Sequence, residues 1–293
     1  MHSFSDLIAQ SQMQNRGLDE IILATDCYDN ATDQEVVLEG MKSRLDVLRE
    51  TVYDALAGDW HPKVAANDLP RLAAHQGRKL CGDYTWRACQ IAMALGTCNA
   101  SMGRIVAAPT AGSCGILPGM LFAYEELFEP AQGRTLLQAL IVAAGVGDVI
   151  ASRATLAGAE GGCQAECGSA SAMGAAALVW LEGGSADQCG QAVAMTLKSI
   201  TGLVCDPLAG LVEVPCIKRN GMLVSLGIIA ADLAMAGVKS LIPVDEMIDV
   251  MGTVGRTLPP SLRETACGGL AVAPTAKAET VRLQNLKATG QLK

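Results

Sequence analysis

The sequence predicts an all-α fold, and three observations carry that expectation. Half of the 293 residues are hydrophobic but only 3% are aromatic, so the core has to form by close approach of small side chains rather than by aromatic and β-branched strands. Apolar residues recur at three-to-four spacing over long stretches, some of them opened by Ser/Thr-x-x-Glu/Gln capping signals. With 18% of its residues charged, a chain of this length can bury one large core or two small ones.

Residues 1–60 read as an N-terminal helical segment that closes on the clearest helix. From Thr32 to Ala57, the residues Met41, Leu45, Leu48, Val52 and Leu56 share one face, Thr32 and Glu35 make a capping box, and Gly58 stops the pattern. The charges on the opposite face read as solvated surface. The stretch GDWHPKVAANDLPRL, from Gly58, carries two prolines and reads as the loop before a main body over 61–276. Within that body, helices are expected over Trp86–Ala100, Thr135–Ala151, Ser169–Leu181, Ser185–Thr201, Gly221–Leu241 and Val244–Thr257, with Ser185 and Gln188 forming a second capping box. Residues 277–293 are polar and expected to fray as a flexible tail. No internal repeat and no low-complexity tract is visible.

Charge narrows the function. A net charge of −8 without a Lys/Arg cluster argues against a nucleic-acid partner, because nothing is placed to displace counterions from phosphates. Small-molecule chemistry is favoured. The most apolar stretches, Ala139–Val149 and Gly221–Ala231, fall short of the roughly 20 residues a bilayer needs, so no membrane is expected. The N-terminus, MHSFSDLIAQSQMQNRGLDE, shows neither secretory nor transit character. Eleven cysteines, an odd number, suit a reducing cytoplasm with free thiols or metal ligands.

Chemistry concentrates between the helices. AAPTAGSCGILPG, Ala107–Gly119, gathers glycines, prolines, Thr110 and Ser113 into a connection that exposes backbone N–H groups and hydroxyls, fit to cradle a carboxylate or simply to turn between helices. Neither a P-loop nor a dinucleotide fingerprint occurs. Cys163 (EGGCQAE), Cys205 (LVCDPLAG) and Cys216 (EVPCIKRN) each sit beside Gly or Pro at an element end. Three loop thiols suit soft-metal ligation, by an iron–sulfur cluster or by zinc, although the absence of a C-x-x-C pair weakens a zinc ribbon. Cys89, Cys98 and Cys189 instead fall on helical apolar patterns and read as small buried hydrophobes. Cys167, one turn beyond Cys163, is a near neighbour left outside the set.

Four stretches, RIVAAPTAGSCGILPG, GGCQAECGSASAM, LVCDPLAGLVEVPCIKRN and LRETACGGLAVAPTAK, occur in family order. Together they resemble the α chain, or catalytic domain, of bacterial iron–sulfur L-serine dehydratase, over roughly Val36 to Lys277. The resemblance implies an all-helical catalytic domain with Gly-rich loops around a 4Fe-4S cluster held by Cys163, Cys205 and Cys216. It implies elimination of water from L-serine to give pyruvate and ammonia, with Thr110, Gly112 and Ser113 on the substrate loop; Gln164 and Asn220, which flank the cluster cysteines, are read as further substrate contacts. Lys218 and Arg219 could orient ligands or be plain surface charges.

The chain departs from that family in three places. Ala111 stands where single-chain relatives often carry an Asn, no C-terminal cysteine is present to cap the fourth iron, and the relatives' Ser-x-x-Ser-His-Thr segment is absent. His2, His61 and His75 lie outside every motif, so no general base is assigned here, and a separate β chain is expected to supply it within an α/β assembly. Two alternatives stay open: a related lyase acting on L-cysteine or L-threonine, and a scaffold subunit with structural zinc.

Overall fold

The computed structural model describes residues 1–291. Its helices are α1 (Phe4–Gln14), α2 (Leu18–Asn30), α3 (Gln34–Ala57), α4 (Leu69–Ala74), α5 (Gly82–Ala100), α6 (Ile116–Leu127), α7 (Leu136–Arg153), α8 (Gly158–Gly161), α9 (Ser169–Leu181), α10 (Ala186–Ile200), α11 (Cys216–Met235), α12 (Val244–Thr257) and α13 (Pro274–Ala288). Among the described residues extended pairing is limited to one isolated parallel bridge, Cys205 with Arg263, so the fold is all-α.

Helix α9 is the hub. Its sequence, SASAMGAAALVWL, has small or apolar side chains on every face, and all of its residues are buried, as a helix without a polar face demands. It is wrapped by α6, α7, α10 and α11. Small residues set the spacing of the packing: a Cβ at Gly115, just before α6, would lie 2.2 Å from the Ala92 carbonyl oxygen of α5.

Local signals place several elements directly. The spans Ser169–Leu181 and Val244–Thr257 match α9 and α12. Ser185 and Gln188 form their reciprocal box ahead of α10, and Thr135 with Gln138 does the same for α7.

Elsewhere the neighbours decide. The Thr32–Glu35 box does not form, because Thr32 is used up in closing α2: its N–H donates to the Cys27 carbonyl at 3.0 Å and its hydroxyl to Asn30 at 3.1 Å. Helix α3 therefore starts one residue later, behind Asp33. Helix α11 spans Cys216–Met235, not Gly221–Leu241. Gly221 sits in its interior, where a Cβ would come within 2.6 Å of Met93 Cγ on α5, and Gly237, in the left-handed region at φ 84°, ends the run. Part of the expected connection Ala107–Gly119 is helix, since Pro118 falls in the first turn of α6, where a missing N–H costs nothing.

The segment expected to fray from Lys277 carries α13 as far as Ala288. Pro274 opens it, Ala276 and Leu283 are buried, and Arg282 reaches the Lys63 carbonyl at 3.0 Å. Residues 292 and 293 lie outside the described residues. Helix α7, at 18 residues, outruns the apolar stretch read from the sequence and is long and apolar enough to cross a membrane. It packs instead against α2, α3, α9 and α12, as a core helix does.

Candidate functional site

Three segments bring buried thiols together: the turn entering α9, the irregular stretch after α10, and the start of α11. Cys163 precedes a π turn, Gln164–Gly168, that runs on into α9; such wide turns recur at functional sites. Gly162 makes the entry possible. Its φ of 75° suits glycine, and a Cβ there would lie 2.7 Å from the Leu203 carbonyl oxygen. Cys205 is pinned on both sides by the 262–264 segment, donating its N–H to Leu262 O at 2.9 Å and accepting from Glu264 N at 2.7 Å. Cys216 is the first residue of α11 and follows Pro215, whose peptide bond is cis. All three side chains are buried.

Polar residues frame these thiols. The Asp206 carboxylate, 5% exposed, accepts from Arg219 Nη2 at 2.9 Å and from the Leu270 N–H at 2.7 Å. Arg219 Nη1 also donates to the Val204 carbonyl at 2.9 Å. Arg219 is thus a partly buried cation beside the site, whereas Lys218, 73% exposed and 3.5 Å from Asp68, is a surface charge. The contact with the neighbouring Cys167 thiol, with Sγ atoms 3.3 Å apart, is the main influence holding Cys163 low; burial opposes it and Arg219 assists. Cys167 is pushed the other way, first by that same contact and then by its own burial. Burial raises Cys205, and it pushes Cys216 up to about 12. These two thiols stay protonated unless a cation draws their protons off.

The Gly-rich loop meets this cradle through Glu166. Thr110 Oγ1 donates to Glu166 Oε1 at 2.9 Å, and Glu166 Oε2 lies 3.9 Å from Cys205 Sγ. Burial pushes the Glu166 carboxyl up, against the Thr110 hydrogen bond that favours its charge. Asn220, on α11, fastens the loop from behind: it accepts from Gly115 N at 2.9 Å and donates to Gly112 O at 2.7 Å and Cys216 O at 2.9 Å.

The residues singled out in the sequence therefore divide. Thr110 and Gly112 border the cradle. Ser113 is fully buried, with its hydroxyl turned back on Thr110 and Ala108 to close the turn. Gln164 is also fully buried and ties two backbones, donating to Met251 O at 3.0 Å and accepting from Gly202 N at 2.7 Å. Asn220 holds the loop against Cys216. His61 and His75 are exposed, the first beside Asp59 and the second against Trp86, and His2 is exposed near the N-terminus, so none borders the thiols.

Sequence reasoning missed Glu166, Asp206 and Glu213. Glu213 is buried and gathers the N–H groups of Lys63, Val64 and Ala65 at 3.0, 2.7 and 3.0 Å. One signal would have found all three: each acid lies within three residues of a motif cysteine, in surroundings otherwise short of charge.

The donor set fits an iron–sulfur cluster. Three buried soft sulfur donors stand near enough to act on one another, with the Arg219 guanidinium at their edge. A Cβ on Gly158 would come within 3.3 Å of Cys205 Sγ and 2.6 Å of Glu166 Oε2, so bare backbone lines this wall. Among the described residues no three His, Cys, Asp or Glu groups converge on a point as the ligands of a single ion must. A cluster spreads its ligands over separate irons and has no such requirement.

The family model described as serine dehydratase alpha chain matches residues 6–271. The chain is 43% identical over 263 residues to the probable L-serine dehydratase, alpha chain, of Bacillus subtilis (strain 168), covering 89% of this chain and 87% of that protein. It is 50% identical over 202 residues to the L-serine dehydratase, alpha chain, of Peptoniphilus asaccharolyticus, covering 69% of each. L-serine dehydratase 2 of Escherichia coli (strain K12) is 38% identical over 182 residues, which cover 62% of this chain and 40% of that protein.

Proposed function

The chain belongs to the serine dehydratase alpha chain family, and on that premise we propose that it is the cluster-bearing subunit of an L-serine ammonia-lyase. The observation that carries this reading is the meeting of three buried thiols with the Thr110–Gly112 loop through one carboxylate, Glu166. Cys163, Cys205 and Cys216 would hold a 4Fe-4S cluster. When bound by only three thiolates, such a cluster supplies a Lewis acid for the substrate's C3 hydroxyl, a poor leaving group on its own.

The chain's own residues do the rest of the work on this side of the reaction. Asn220 keeps the loop in register with Cys216, so a substrate held on the loop would be presented to the thiol side in one orientation. Arg219, anchored on Asp206, offsets thiolate charge at Cys163. Removing the Cα proton requires a base within about 3 Å, directly or through one water. No histidine of this chain borders the site, so the base comes from a separate β chain and the active site lies at or near the α/β interface. Loss of water gives aminoacrylate, which tautomerises to the imine and takes up water to release pyruvate and ammonia.

L-Threonine and L-cysteine would satisfy the same logic with a different pocket shape, and turnover of a substrate panel separates them. A structural zinc would need four ligands around one point, and the tight grouping is lacking among the described residues. The free thiols suit a reducing cytoplasm, and an iron without a protein thiolate makes the enzyme oxygen-sensitive.

The test is anaerobic purification followed by iron and sulfide analysis, with pyruvate followed on L-serine for the α chain alone and on titration with β chain. Activity that rises to a plateau at a fixed ratio is expected. Zinc without sulfide, or full turnover by the α chain alone, would overturn the respective part of the reading.

A further inference from the structure

We propose that Glu166 accepts the substrate's ammonium group and so makes this site select an amino acid over the same hydroxy acid lacking nitrogen. This rests on the reading above that L-serine binds between the Thr110–Gly112 loop and the thiol cradle. Glu166 is the side chain where those two halves touch, with Oε1 on the Thr110 hydroxyl at 2.9 Å and Oε2 toward Cys205.

Charge balance supplies the argument. A half-buried carboxylate beside thiols needs a counter-charge, and none of the ion pairs among the described residues includes Glu166. Arg219, the partly buried cation of the site, is held by Asp206 and the Val204 carbonyl instead. A cation from outside completes the site, and a zwitterionic substrate brings one.

Hydrogen bonding and space point the same way. Oε2 receives nothing shorter than the 3.9 Å Cys205 contact, so one carboxylate oxygen is left to accept. Two glycines flank it: a Cβ on Gly112 would lie 3.3 Å from Oε1, and one on Gly158 would lie 2.6 Å from Oε2. Both carboxylate oxygens therefore face bare backbone, and Oε2 has no side-chain donor of its own beyond the distant Cys205 thiol.

The experiment uses the cluster-loaded α/β complex under anaerobic conditions and two unreactive probes, D-serine and 3-hydroxypropanoate, which differ in the ammonium group. Calorimetric titration gives their affinities, and pyruvate formation gives kcat and KM for L-serine. In Glu166→Gln, D-serine affinity is expected to fall and KM for L-serine to rise by about 10- to 100-fold, the scale of one charge-assisted hydrogen bond, while 3-hydroxypropanoate shifts little. Glu166→Asp, which keeps the charge, should retain most of the discrimination, and it carries the test if the Gln variant fails to load iron.

Equal weakening of both probes would make Glu166 only a prop for Thr110, and loss of kcat with unchanged probe binding would make it a proton-transfer group; either overturns the proposal. So does a wild-type complex that binds the two probes equally. A wild-type complex that discriminates the probes but forms no pyruvate from L-serine overturns the functional reading instead.

Discussion

Cys189 and Cys163 are both buried, yet their surroundings give them opposite chemistry. Cys189 lies within α10 against α9, where its thiol donates to the Ala176 carbonyl at 3.5 Å and burial pushes it up to about 12. Cys114 is similar, 3.8 Å from the Leu95 carbonyl and also raised to about 12. At Cys163 the Cys167 hydrogen bond and the Arg219 charge outweigh burial and hold the thiol low. Depth of burial alone therefore does not set the chemistry of a cysteine in this chain. Between these two the difference is that Cys189 lies inside a regular helix, whereas Cys163 follows Gly161 and Gly162 into a turn that brings it beside Cys167 and Arg219.

The largest expected effect breaks that comparison at its centre. Cys163→Ser, Cys205→Ser and Cys216→Ser should each lose nearly all iron, sulfide and lyase activity. Cys189→Ala should keep its iron and lose only about 1 kcal/mol of stability in denaturant unfolding. Cys167→Ser is expected to keep the cluster; loss of iron there would bring Cys167 into the ligand set.

Next in size is Glu213→Ala, which strips the acceptor from three backbone N–H groups and should cost about 3 kcal/mol. Proteolysis should then nick the 60–68 loop before any core helix. Gly162→Ala sharpens the comparison from the backbone side. A left-handed φ and a 2.7 Å approach to the Leu203 carbonyl should together cost about 2 kcal/mol and lower iron content as well. An alanine at this position with full iron content would show that the turn is not what sets Cys163.

The smallest effect tests the helical body, away from the thiols. Burial would raise Asp245, but hydrogen bonds from Phe4 N, Ser3 Oγ and Ser5 N outweigh it and hold the carboxyl below its usual range. A depressed carboxyl stabilises fully above its unfolded value of about 3.9 and loses that contribution as pH falls through the folded value. Asp245→Asn should therefore cost about 1 kcal/mol at pH 7, with the gap closing in unfolding curves taken below about pH 4. Iron content should not change.

Local sequence carried much of this architecture. The apolar run from Ser169 to Leu181 and the Ser185–Gln188 box set α9 and the start of α10, because periodicity and capping act within a turn or two of chain. The positions of Cys163, Cys205 and Cys216 beside Gly and Pro marked the thiols in the same way. Tertiary structure decided where α3 and α11 begin, since Thr32 was drawn into closing α2 and Gly221 was accepted inside a helix by the packing of Met93. It also decided the site's charges. Glu166 meets Thr110 across 56 residues, and Arg219 is withdrawn from the surface onto Asp206. Such pairings appear only once the helices have packed, because packing determines which polar groups lose water together and must satisfy one another.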